Sequence, residues 1–529
     1  MAHVHRTVTY ICDDGAVAHE IPADERPFAV VDIGSNSGRM LVFRLREGEH
    51  LDVLEDARAP LRLARALRDG DSLGAEAIGR SVEALRDFKA VADGAGATRI
   101  VAVATSAVRD AADGQVLVDE ARRLGIPLQV IDGPLEARLG FLGAVHDLPV
   151  VSGLTMDVGG GSVELSRFVD RRLESSWSLP LGSLRMSDRF LDHDPPTEKE
   201  RAKLRARVET ELRGTGIVEL RKRDDLIGIG GTVRNLAKVD LRRNDDTLPL
   251  LHGHELPARR LSAIIDELAT RPMKRRAQTS GLNPDRADTI LGGALVIQGV
   301  MTHVGARRLV VSSRGLREGL ALDAFERDVP PPHWVRTISV ATLAARFATW
   351  DPEVAARRAA IAARLHESLE PSASVSVREM LEHAATLVDV GRAIDYYDRF
   401  AHAAQIVVAA DVGGFTRADL AALATILRSA DDDQREGPYA RLIDESERAT
   451  VERSASVLAL ADELHRRIPR EVPPTVACRW TPRAFEVVAP VPAGWRARRV
   501  ADRFESAFDQ RLSIVAADTP SDVPVTPSG

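Results

Sequence analysis

Two short stretches constrain this chain more than any other feature: VDIGSNSG at positions 31–38 and MDVGGGSVE at 156–164. Each runs an apolar strand into an Asp, a hydrophobic residue, a Gly, small residues that include Ser, and a second strand. Glycine loses more conformational freedom on folding than any other residue, so three in succession inside a strand pattern need a reason. Either stretch alone reads as a tight hairpin or as backbone that something approaches closely. Two matched ones, opening two successive segments, point to a structural duplication whose equivalent strand ends face each other across a cleft. Small residues there let N–H groups and hydroxyls reach an anion. The candidate phosphate-binding residues are Gly34, Ser35, Asn36 and Ser37 of the first turn, and Gly159, Gly160, Gly161 and Ser162 of the second. Asp32 and Asp157 would repel a phosphate unless a divalent cation lay between, which points to Mg²⁺. A third glycine turn, with Gly230, Gly231 and Thr232, reads as a phosphate-contacting loop or as a plain strand-to-helix turn.

The surrounding pattern is α/β. FAVVDIG and MLVFRL read as an antiparallel hairpin. Ile78, Val82, Leu85, Phe88 and Val91 recur at helical spacing. RIVAVAT and PLQVI read as strands, VLVDEARRLG and PLEARLGFLGAVH as helices, the last with Pro in its first turn. The same grammar restarts at GLTMDVG. This gives one domain over 27–150 and a second over 151–328, after a loose extension at 1–26. ERDVPPPHW reads as a linker into Ala- and Arg-rich helices over 333–469. A break at REVPPTV precedes a small α/β segment at 470–517 and a disordered tail at 518–529.

At 529 residues the chain is long enough for several domains, and its net charge of −7 argues against wholesale coating of nucleic acid, so no DNA partner is expected. Only six of the 71 basic residues are lysine, a chain-wide bias that identifies no single site. Cys12 and Cys478 offer neither a disulfide framework nor a zinc site. No apolar run approaches the ~20 residues that span a bilayer, and the first residues lack a signal-peptide pattern. A cytoplasmic location and no membrane contact are expected. The basic clusters RAKLRARVETELRG, ELRKR and RPMKRR read as solvated faces or as a track for a polyanion.

VDIGSNS, ATSAVRDA, GPLEARLGFLGAV, MDVGGGSVEL, IGIGGT and VSSRGLREG, in that order, resemble the exopolyphosphatase/guanosine pentaphosphate phosphohydrolase family of the actin-like ATPase superfamily. The resemblance covers residues 28–325 and continues more weakly to about 435. It implies duplicated actin-like (ribonuclease H-like) domains with an interdomain cleft, an all-α H-D-like domain and a small C-terminal α/β segment. It also implies Glu136 as the general base, Asp157 and Glu164 around a Mg²⁺ ion with Asp32 as a further carboxylate, and Arg109 on a phosphate. Ser313 stands where many relatives carry Asp. The implied activity is release of terminal orthophosphate from inorganic polyphosphate. The alternatives are guanosine pentaphosphate hydrolysis and non-catalytic binding of polyphosphate or an alarmone. Kinase chemistry is disfavoured by the Glu136 and RGLREG elements. A homodimer is expected. In the H-D-like region Val388 precedes Asp389 where a metal-binding His would stand. His366, His383 and His402 are therefore expected to be ordinary polar or packed residues, and the domain no second metal site.

Overall fold

The run FAVVDI forms strand β1 (Phe28–Ile33), whose near-continuous burial marks it as the centre of a sheet covered on both faces. This computed structural model describes residues 26–517 except 47–49, 68–69, 249, 326 and 432–437. The N-terminal extension, all but its last residue, and the C-terminal tail lie outside the described residues, as does Cys12. After β1 come β2 (Ser37–Leu45), β3 (Leu51–Pro60), α1 (Leu63–Ala66), α2 (Gly74–Gly94), β4 (Arg99–Ala104), α3 (Ser106–Asp110), α4 (Gly114–Arg123), β5 (Leu128–Val130) and α5 (Gly133–His146). The strands lie in the order 3-2-1-4-5, with β1 antiparallel to β2 and parallel to β4.

The second half repeats this plan. It contains β6 (Gly153–Val158), β7 (Val163–Val169), β8 (Arg172–Leu179), α6 (Ser183–Phe190), α7 (Glu198–Arg213), β9 (Asp225–Ile229) and α8 (Gly230–Arg243). Then come β10 (Glu255–Pro257), α9 (Ala258–Thr270), α10 (Met273–Arg276), α11 (Ile290–His303), β11 (Arg308–Val311) and α12 (Leu316–Asp323). Its order, 8-7-6-9-11-10, is the first sheet's order with one strand added at the edge. The two halves meet through α5 and α12. Phe28, Val30 and Phe43 of the first sheet share one core with Phe168, Ile227 and Val310 of the second, and Leu139 of α5 and Leu320 of α12 lie between them. The two helices touch backbone to backbone: a Cβ on Gly319 would stand 1.8 Å from the Leu139 carbonyl oxygen, so only glycine fits.

A helical body follows: α13 (Pro332–Ala345), α14 (Pro352–Leu369), α15 (Val375–Leu387), α16 (Arg399–Ala409), α17 (Arg417–Ser429) and α18 (Glu445–His465). The linker is shorter than its prolines imply, because Pro332 takes the first turn of α13, where a missing N–H costs nothing, and His333 and Trp334 are helical. The last strands and helix are β12 (Ala477–Trp480), β13 (Phe485–Ala489), α19 (Arg498–Phe508) and β14 (Leu512–Ala516). They are no separate unit: Phe485, Val487 and Phe504 belong to the same core as Leu365, Leu381 and Leu458 of the helices. The body is fastened to the second half by Arg417, which donates to Asp246 (2.6 Å) and the Leu250 carbonyl (2.5 Å). Among the described residues no helix is long and apolar enough to cross a membrane.

Candidate active site

The two matched turns have one geometry. The Gly34 N–H donates to the Ser37 carbonyl (3.2 Å) and the Gly159 N–H to the Ser162 carbonyl (3.1 Å). In both turns the intervening carbonyls point outward, onto the helix that packs behind. Ser35 and Asn36 carbonyls accept from Ala64 and Arg62, while Gly159 and Gly160 carbonyls accept from Ser183 and Leu184. Because a peptide unit is planar, carbonyls turned outward leave the N–H edges to the cleft. The triple glycine is required by proximity: a Cβ on Gly161 would stand 2.7 Å from Ser106 Oγ and 2.9 Å from Ser35 Oγ of the other half. Gly230, with φ +88°, lies against the second aspartate, and a Cβ there would stand 2.5 Å from Asp157 Oδ1.

A cavity of about 130 Å³ between the turns is lined by Asp32, Asp157, Glu136, Glu164 and Glu318 together with Ser35, Asn36, Ser37, Ser162 and the glycines Gly34, Gly159, Gly160, Gly230 and Gly231. The duplication brings Asp32 and Asp157 to equivalent places, but their cross-strand neighbours differ: Arg39 faces Asp32, and Glu164 faces Asp157. Glu136 enters from the first turn of α5, where the Asp132 side chain caps the Leu135 N–H (2.9 Å). Glu164 accepts from Ser178 Oγ (2.9 Å), and Glu318 accepts from the Gly315 N–H (2.8 Å).

So many acids in so little water resist ionisation. Burial pushes Asp32 up to about 6, against the pull of Arg317 and Arg39, and Asp157 up to about 6, against Arg234. Burial likewise raises Glu164 to about 7. Glu136 is held well above the usual carboxylate range by burial first, then by the charges of Glu164 and Asp32. Asp32 Oδ1 is shielded from solvent and accepts no hydrogen bond. An unsatisfied buried carboxylate oxygen next to a second raised carboxylate suits a hard divalent cation. Among the described residues no three His, Cys, Asp or Glu side chains gather closely enough to hold a metal by themselves. Asp32, Asp157 and Glu164 thus share one cavity without forming a cage, and a cation here would need water or ligand oxygens as well.

The cleft opens into a larger trench of about 470 Å³. Arg39, Gly231, Arg234 and Arg286 line both, and Arg58, Lys238, Asn235 and Asn283 continue the wall. Burial and mutual repulsion lower Arg39 to about 9 and Arg286 to about 10, still charged at neutral pH. Arg39, Arg234, Arg286, Arg317 and Glu318 are missing from the sequence reading. Arg39 carried a local signal in its place opposite Asp32 in the hairpin, and Arg317 and Glu318 lie within the VSSRGLREG element; Arg234 and Arg286 carried none. Three expected residues sit elsewhere. Arg109 lies behind Glu136: it donates to the Ile131 carbonyl (2.8 Å) and stands 3.4 Å from Glu136 Oε2, outside the cavity lining. Thr232 is buried, with its methyl group turned toward Gly293 of α11. Gly161 faces a separate cavity behind the turns. Ser313 presents its carbonyl to Arg234 (2.7 Å) and its hydroxyl to His252 (3.3 Å). Much of two basic clusters is engaged within the protein, although Lys274 and Arg275 are exposed. Arg201, Arg205, Arg207 and Arg213 of α7 pair with glutamates of their own helix, and Arg276 is buried against three carbonyls.

In the helical body Val388 is buried and Asp389 is ion-paired, not open to a metal. Arg358, 2 % exposed, bridges Asp389 (2.5 Å) and Asp462 (3.0 Å), and Arg399 meets Asp462 from the other side (2.6 Å). His366 bonds Ser454 Oγ, His383 lies against Phe415, and His402 lies near Gln405.

Residues 41–328 match the Ppx/GppA phosphatase family, and residues 335–499 match domain III of that family. Over 322 residues the chain is 30% identical to Exopolyphosphatase 1 of Mycobacterium tuberculosis, covering 59% of this chain and 92% of that protein. Exopolyphosphatase 2 of the same species is 31% identical over 313 residues, covering 56% and 97%. The crystal structure of an exopolyphosphatase from Cytophaga hutchinsonii superposes with a TM-score of 0.52 at 25% identity, covering 57% of this chain and 99% of that one. A Ppx/GppA family member from Aquifex aeolicus gives 0.51 at 25% identity, covering 57% and 97%. Fold and sequence agree, and this chain, a phosphatase-type hydrolase with a duplicated actin-like fold, belongs to the Ppx/GppA phosphatase family.

Proposed function

We propose that this protein releases terminal orthophosphate from inorganic polyphosphate. The observation that carries this reading is the continuity of the acid-lined cleft with the arginine-lined trench. Among the described residues that line the trench there is no carboxylate to repel a polyanion and no aromatic ring to stack a base. A chain of phosphates fits such a wall along its length, and planar guanidinium groups bind successive phosphate oxygens well. The same absence of an aromatic platform disfavours guanosine pentaphosphate, whose purine would lie outside this chemistry.

In this reading the terminal phosphoryl group rests between the turns, on the N–H edges and on Ser35, Ser37 and Ser162. Asp32 and Asp157, with Glu164 beside them, would hold Mg²⁺, which supplies charge neutralisation on the phosphate oxygens. Glu136 accepts the proton of a water as its oxygen attacks the terminal phosphorus. The bond from that phosphorus to the bridging oxygen breaks, and the electron pair leaves with the shortened chain. A carboxylate raised toward neutrality is well matched to this task. Arg109, anchored on the Ile131 carbonyl, holds Glu136 in place instead of binding phosphate. The test is orthophosphate release from long-chain polyphosphate, guanosine pentaphosphate and ATP, each with Mg²⁺ and with chelator. Release fastest from polyphosphate and abolished by chelator is expected. Equal, negligible release from all three would overturn the reading.

A further inference from the structure

A second cavity, of about 530 Å³, lies behind the two turns. It shares Ser35 with the catalytic cleft and no residue with the trench. The partition between cleft and rear cavity is thin. Ser35 Oγ and Ser106 Oγ are hydrogen-bonded to each other at 2.7 Å, both side chains are buried, and Gly161 closes the gap beside them. Beyond this pair of hydroxyls the cavity is lined by Arg185 and Arg189 together with three carboxylates, Asp71, Asp110 and Asp188, and Arg185 is paired with Asp110 of the other half at 2.9 Å. On the same side Arg65 of the first half pairs with Asp288 of the second at 2.6 Å. Both pairs are substantially exposed, so they fasten the halves only weakly and open at little cost.

The position of this cavity matters once a polymer is the substrate, and the inference rests on the polyphosphate reading above. The terminal phosphate is the innermost unit. After hydrolysis the shortened chain still fills the trench, and the free orthophosphate lies behind its new end. We propose that orthophosphate leaves through the rear cavity, between Ser35 and Ser106 and past Arg185, while the polymer stays in the trench. The two hydroxyls exchange their mutual bond for bonds to the passing phosphate. Arg185 receives it on the far side, in exchange for Asp110. The remaining chain then advances by one unit without dissociating.

Two variants test the route without touching the cleft. Leu67, half-buried in the wall of the rear cavity, becomes Trp to fill it. Arg185→Glu instead places a negative charge at its mouth. Bond cleavage is followed as total orthophosphate after acid quench, and release as free orthophosphate with a fluorescent phosphate sensor, on long-chain polyphosphate and on tripolyphosphate. Both variants are expected to keep the wild-type cleavage rate in the first turnover. Release from the long chain slows by about five-fold or more, so that a burst of bound orthophosphate appears. Tripolyphosphate is affected less, because its pyrophosphate remnant leaves the trench and frees the front. Release that keeps pace with cleavage on the long chain in both variants overturns the rear route and leaves the hydrolase reading standing. So does an equal slowing on both substrates. Absence of any quenched orthophosphate from the wild-type protein refutes the hydrolase reading itself, and this inference with it.

Discussion

Glu136 is the residue on which the proposed chemistry turns. It is the acid at the start of a helix whose first turn opens on the cleft, with Arg109 behind it and burial, then Glu164 and Asp32, raising its proton affinity. Glu136→Gln keeps the shape and removes the base, so kcat on polyphosphate should fall by about 10²–10⁴ while KM moves little. Steady-state kinetics decide; an unchanged kcat would assign the base elsewhere. Asp32 and Asp157 carry a pH signature. Burial holds both near 6, so below that pH both are protonated and a cation must displace protons to bind. Mg²⁺ affinity, measured by calorimetry, should rise as pH increases from about 5 to 7 and then level off. A flat profile would place the cation on other groups. These acids were legible in the sequence because each sits at a fixed place in a repeated pattern. Arg234 and Arg286 were not. In a chain so rich in arginine, neighbouring residues do not say which one a distant fold will aim inward, and Arg286 reaches the cleft from a short turn far along the second half.

At the scale of elements, the hairpins after β1 and β6 were legible from alternating apolar residues and turn glycines, and the cross-strand register makes the duplication explicit. Of the two readings of α7, a solvated face or a polyanion track, its ion pairs favour the first. Its arginines stand three or four positions from glutamates, spacing that neutralises a helix face from within. In the helical body the informative feature is a buried ionic network. Asp389 and Asp462 are two buried carboxylates, and the Arg358 guanidinium supplies the positive charge between them. Arg358→Met would leave both with one fewer partner in the interior. The cost should be about 3–5 kcal/mol, seen as a lowered unfolding midpoint that added Zn²⁺ or Mn²⁺ does not restore. An unchanged midpoint would show that the network carries no such weight. Sequence alone could not reveal Arg358 of α14, because Asp389 lies just beyond α15 and Asp462 in α18, four helices on.

Across the whole molecule, function follows from where the halves meet. α5 and α12 run through the shared core and deliver Glu136, Arg317 and Glu318 to one end of it, while the turns after β1 and β6 close the same space from either side. The duplication and the cleft were legible from two eight- to nine-residue stretches. The docking of the helical body, and the merging of the final strands into its core, depend on contacts between segments far apart in sequence. The central claim is that both aspartate-bearing turns grip one terminal phosphoryl group. It is tested most directly by the crystal structure of the Glu136→Gln variant with Mg²⁺ and polyphosphate. The terminal phosphate is predicted between Ser35–Ser37 and Gly159–Ser162, with the chain leaving along Arg39, Arg234 and Arg286. A polymer bound on the outer surface, with the space between Asp32 and Asp157 untouched, would contradict the account.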